Sequence, residues 1–167
     1  RENRKCEFGP ARNKRHQFED IAKGQKILAT LFDGLTQPIF TPPWNRCLSE
    51  TVAALNQLGF KVLSRESRAE TLRLDGLREV PVSIDWFAKR KGISLTRRQI
   101  GMMIADQLSS RNEIGIMLHH AQMDESERGH LRDLLALFTK FGPVETHSIW
   151  SLFEASPKVQ RSFAQVI

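Results

Sequence analysis

Three short segments carry the residues best suited to chemistry. Phe40-Thr41-Pro42-Pro43-Trp44-Asn45-Arg46 sets an indole directly after two prolines, whose rings fix the backbone and hold Trp44 in a defined place. A rigid, exposed indole is a stacking face for a sugar ring, with Asn45 and Arg46 as polar contacts. The same pattern also suits a stiff turn whose Trp44 packs into the core. In Val80-Pro81-Val82-Ser83-Ile84-Asp85-Trp86 the alternation puts Ser83 and Asp85 on one side if Val80, Val82 and Ile84 face helices. A carboxylate at the end of an inward row is costly without a partner, so Asp85 orients a histidine, binds a metal or caps the next turn. In Ile114-Gly115-Ile116-Met117-Leu118-His119-His120, Gly115, Met117 and His119 share one face. His119 is either the imidazole at a pocket rim or a structural residue. His119 and His120 point to opposite sides and are poorly placed to chelate one metal together.

If Asp85 and His119 meet, the carboxylate fixes the imidazole tautomer and the pair supplies a general acid near neutral pH. It supplies no nucleophile, because the chain has neither a Gly-x-Ser-x-Gly elbow nor a His-x-x-x-His metal pair. His16, His130 and His147 lie on polar or helical stretches and read as surface or structural residues. Cys6 and Cys47 are far apart in the chain and match no metal spacing. A disulfide framework is not expected at this size, and a reducing, cytoplasmic compartment is the expectation.

The elements that must position these groups follow from periodicity. Phe18, Ile21, Leu28, Leu31 and Phe32 predict a helix ending at the Asp33-Gly34 turn. A strand over 38–41 is halted by Pro42-Pro43. Ser49 is expected to cap a helix over 50–58 that Gly59 stops, and 60–64 is the next strand. Residues 79–86 and 113–119 predict further strands. Between them Thr96-Arg97-Arg98-Gln99 has the form of a capping box opening a helix that carries Ile100, Met103, Ile104 and Leu108. Leu131, Leu134, Leu135, Phe138 and Phe141 mark another helix; residues 144–148 predict a last strand, and a short helix follows. Strands alternating with helices imply an α/β fold with parallel strands, whose functional groups gather at the strands' carboxyl ends. All three segments above sit at such ends.

The chain has 167 residues, which predicts one domain over 1–167. A closed eight-stranded barrel typically needs about 250 residues, so the chain is either a small open sheet or the later part of a barrel. No apolar run is long enough to span a membrane. Lys+Arg number 25 against 19 Asp+Glu, a net +6. The basic residues mostly neighbour acidic ones and accompany no nucleic-acid motif, so nucleic acid is not the expected partner. The chain begins Arg1-Glu2-Asn3, without Met, which reads as a piece of something longer.

From about Gly34 to Asp124 the three segments, in this order, resemble the later motifs of the polysaccharide deacetylase (NodB-homology) family. Phe40-Thr41-Pro42-Pro43-Trp44 resembles its Arg-Pro-Pro-aromatic groove motif, with Thr41 where the arginine usually stands. Ile84-Asp85-Trp86 resembles its Asp-Trp motif, and Met117-Leu118-His119 its terminal Leu-x-His motif with Met for Leu. The resemblance implies a partial distorted (β/α) barrel of the glycoside hydrolase/deacetylase type, and metal-dependent removal of acetyl groups from an acetylated sugar. It implies His119 as general acid supported by Asp85, and Thr41, Pro42, Pro43, Trp44, Asn45, Arg46, Trp86 and Met117 as substrate-binding residues. Arg46 is the candidate replacement for the missing groove arginine. The family's Asp-Asp and His-x-x-x-His motifs are not in this sequence, so the divalent metal, by resemblance Zn²⁺, would have its ligands upstream of Arg1, with none in this chain. Rival readings are a non-catalytic carbohydrate-binding domain that has lost the metal, and a basic nucleic-acid-binding module.

Overall fold

A computed structural model describes residues 6–142 and 144–155. The architecture is mixed α/β, with parallel strands joined by helical crossovers and loops. Helix α1 (Lys14–Leu31) opens on Asn13, whose side chain accepts from the His16 N–H. Strand β1 (Ile39–Phe40) leads into a single 3₁₀ turn over Pro43–Asn45 and helix α2 (Ser49–Gln57), after which β2 (Val62–Leu63) lies parallel to β1 in the register Ile39↔Val62, Phe40↔Leu63. Strand β3 (Arg78–Glu79) extends this sheet beside β2. Strand β4 (Ile84–Asp85) follows, and a hairpin of β5 (Lys89–Arg90) and β6 (Ile93–Ser94) precedes helix α3 (Arg97–Ser110). Strand β7 (Ile116–Met117) pairs parallel with β4, Ile84↔Ile116 and Asp85↔Met117. Helices α4 (Glu125–Phe141) and α5 (Ile149–Ala155) complete the described chain.

The segment expected as one strand over 79–86 is two, because the chain changes neighbour partway. The Val80 and Val82 N–H groups donate to Leu63 O and Arg65 O, whereas those of Ser83 and Ile84 both donate to Gly115 O. The change-over falls between Val82 and Ser83, just after Pro81, which has no N–H to give either ladder. The exchange needs a very close approach: a Cβ on Gly115 would come within 2.2 Å of the Pro81 carbonyl oxygen, so only glycine fits there. The strand expected over 144–148 does not form. Its residues are mostly polar and exposed, so little apolar burial would reward pairing, and Ser148 O instead accepts from Leu152 N–H at the start of α5.

Helix ends follow local chemistry. Thr96 and Gln99 form the expected reciprocal capping box. Ser49, expected as the cap of α2, is instead its first residue, and it is the Thr51 hydroxyl that accepts from Leu48 N–H. Gly59, at φ +79°, stops that helix in a Schellman turn, with Phe60 N–H donating to Leu55 O and Gly59 N–H to Asn56 O.

Two hydrophobic clusters carry the packing. One joins α1 and α2 to the first sheet through Phe8, Ile21, Val52, Leu55 and Leu63, with Phe40 edge-on to both Phe8 and Phe60. The other joins α3 and α4 to β4 through Ile84, Trp86, Ile100, Ile104 and Met123. No helix among the described residues is long and apolar enough to cross a membrane.

Candidate functional site

The carboxyl ends of β1, β2, β4 and β7 open onto one groove of about 810 Å³. It gathers Thr41, Pro42, Pro43, Trp44, Asn45 and Arg46 from the exit of β1, Asp85 from the end of β4, and Met117 and His119 from β7 and its exit. Parallel strands drawn into register bring their exits to one edge, and so collect residues far apart in sequence.

Asp85 and His119 meet there. His119 Nε2 lies 3.0 Å from Asp85 Oδ1, and the same oxygen accepts from Phe87 N–H at 2.8 Å. The Phe87 ring stands edge-on to the imidazole, 5.7 Å between centroids. An ionised carboxylate only accepts, so in this geometry Nε2 carries the shared proton and Nδ1 is the ring nitrogen left for exchange with a ligand. Both side chains are about one-third exposed, enough for a ligand to reach them.

Trp44 is exposed, in keeping with a stacking face and not with a core residue. Its backbone is unusual. Trp44 and Asn45 both have left-handed conformations, φ 60° and 55°, costing about 1–2 kcal/mol for a bulky residue. The turn is held by Asn45 N–H to Pro42 O, by Glu66 N–H to Asn45 O, and by Asn45 Nδ2 against Met117 Sδ at 3.1 Å. Arg46 grips Glu66 through Nε and Nη2 at 3.0 and 3.3 Å. Its fork thus pins the groove loop to the exit of β2.

Trp86 is placed elsewhere. Because Asp85 faces the groove, alternation turns Trp86 to the helices, where it is 3% exposed and donates Nε1–H to Glu127 at 2.8 Å. Arg97 lies over its ring, 4.7 Å from the centroid, and bonds its carbonyl oxygen. Trp86 ties the starts of α3 and α4 together and does not line the groove.

Glu66, Ser67, Arg68, Ala88, Lys89 and Met103 also line the groove and were not singled out in the sequence. Glu66 and Arg68 lie within five residues of the end of β2, so a search of strand exits would have found them. Ser83 shares the Asp85 side, as alternation predicts, and its Oγ is buried without a hydrogen-bond partner among the described residues. Nowhere among the described residues do three or more His, Cys, Asp or Glu side chains cluster as metal ligands would. Asp85 and His119 are engaged with each other and Glu66 with Arg46, so the groove's own residues do not fit a metal centre. His16, His120 and His130 are exposed; His147 faces Glu145 at 3.2 Å beside an adjoining cavity of about 300 Å³.

No family model matches the chain, and no curated protein or solved structure matches it either.

Proposed function

We propose that the groove binds an acetylated sugar polymer and that the protein is a polysaccharide deacetylase-like hydrolase, its parallel strands forming part of a (β/α) barrel. The observation that carries this reading is the Asp85–His119 pair, 3.0 Å apart, in a groove walled by an exposed indole. Trp44 stacks on a sugar ring, and Met117 borders the space for the acetyl methyl group. As the acetamide C–N bond breaks, the departing nitrogen takes a proton from the imidazolium of His119 while Asp85 holds the ring. The hydroxyl of water goes to the acyl carbon and leaves as acetate. The described residues serve the leaving-group side; in this reading the metal and the base that activate the water belong to residues outside this chain.

The test is acetate release from N-acetylated chito-oligosaccharides by the protein at its full native length, supplied with a divalent metal. His119→Ala should lose at least about a hundredfold in kcat. Turnover unchanged in that variant removes His119 from the mechanism. A second reading is a non-catalytic carbohydrate-binding domain, for which the exposed Trp44 and the polar groove are enough. Oligosaccharide binding without acetate release under any metal would select it.

A further inference from the structure

The hairpin ahead of α3 is not used by the chemistry above. Lys89↔Ser94 and Arg90↔Ile93 pair across a two-residue turn, Lys91–Gly92, with φ 51° and 82°. Two positive φ values match the primed turn whose twist suits a tight hairpin, so the finger has a defined shape. All of its strand residues are exposed. Lys89, Arg90 and Lys91 have no acidic partner among the described residues, so three consecutive cations stand on one projection.

That projection borders the groove, for Lys89 is part of its wall. Arg68, on the connection after β2, lines the same groove, is exposed and likewise has no described ion pair. The groove's third cation, Arg46, is engaged with Glu66. The groove therefore carries positive charge on its rim and a carboxylate, Asp85, near its acid.

We propose that the groove takes an anionic glycan, a polymer in which acetylated sugars alternate with carboxylate-bearing ones. Arg68 and the Lys89–Lys91 run hold the carboxylates while Trp44 stacks a neighbouring ring. The proposal rests on the reading of this groove as a sugar site and adds the charge of its substrate. A nucleic acid is the poorer fit. Every nucleotide carries a phosphate, so a strand laid in the groove would bring phosphates against Asp85 and Glu66, whereas an alternating glycan leaves uncharged rings to lie there.

Calorimetric titration of the 167-residue chain tests it, with three probes: an oligosaccharide of alternating N-acetylglucosamine and glucuronate, a neutral N-acetylglucosamine oligomer of equal length, and oligothymidylate of equal charge. The acidic glycan should bind at least about tenfold tighter than the neutral one at low salt, with the preference shrinking as salt rises. It should fall markedly when Lys89, Arg90 and Lys91 are all replaced by Ala. Arg68→Glu, away from the hairpin, should weaken it independently, and circular dichroism checks that both variants fold. Equal affinity for the two glycans, a preference untouched by these variants, or tighter binding of oligothymidylate overturns the proposal. Because no turnover is measured, the two readings fail separately. An acidic preference without acetate release sinks only the deacetylase reading; acetate release with equal affinities sinks only this one.

Discussion

Trp44 is held in a backbone conformation that suits glycine, and the strain is tolerated where the side chain faces the groove. Replacing it separates the two effects. Trp44→Ala and Trp44→Gly should lose the proposed glycan binding equally, but the Gly variant should be more stable than the Ala variant by about 1 kcal/mol, because only it relieves the left-handed strain. Urea midpoints with unchanged slopes would show this; equal midpoints would mean the conformation is not strained. Neither this strain nor the Arg46–Glu66 pairing was legible in the sequence, since a local pattern reveals no distant partner. The Asp85–His119 pairing was legible as a possibility, because alternation and strand ends restrict where each side chain can go. Cys47 adds a pH dependence. Burial pushes its thiol from an ordinary value near 9 up to about 11. The unfolded chain therefore ionises first, so the contribution to stability is intact below pH 9 and lost as pH rises to about 11. Denaturation midpoints should fall across that window, and by less in Cys47→Ala.

At the scale of elements, the meeting of β4 and β7 determines whether Asp85 reaches His119. Gly115 sits against the Pro81 carbonyl, so Gly115→Ala must push the two strands apart. The expected cost is at least about 2 kcal/mol, in the range of overpacked sites, together with loss of the proposed deacetylation even though no reacting group changes. A variant with native stability and turnover would show that the strands accommodate the methyl group. Most helices were legible, because Asp33-Gly34, Gly59 and the Thr96/Gln99 box are local signals that tertiary packing did not override. The hairpin was not read, since Lys-Gly is a weak turn signal beside charged residues. The single strand over 79–86 was misread for a different reason: periodicity reports which face is apolar, not which neighbour supplies the hydrogen bonds.

Across the molecule, burial is uneven. The buried face of α1 includes Gln17, satisfied by Thr51 Oγ1–H at 2.6 Å and by its own donation to Arg12 O. The far end of the helix leaves Leu28, Leu31 and Phe32 exposed, and Leu35 beyond it. An apolar face of this kind promotes association, so Leu31→Glu with Leu35→Glu should raise the concentration at which light scattering first appears, without lowering the denaturation midpoint. Thr51→Val should destabilise by about 1–3 kcal/mol, through the orphaned Gln17 and the lost acceptor for Leu48 N–H, and adding Gln17→Leu should recover only the Gln17 share.

The exchange of neighbours between Val82 and Ser83 has a consequence for motion. Val80 and Val82 are bonded to the sheet that rests on α1 and α2, while Ser83, Ile84 and Trp86 are bonded to the strand beneath α3 and α4. Within seven residues, amide protons thus report on two different packed units. If those units open separately, hydrogen exchange will show two protection levels along one continuous stretch of backbone, with the break falling between Val82 and Ser83. A single level would mean that the two halves open only together.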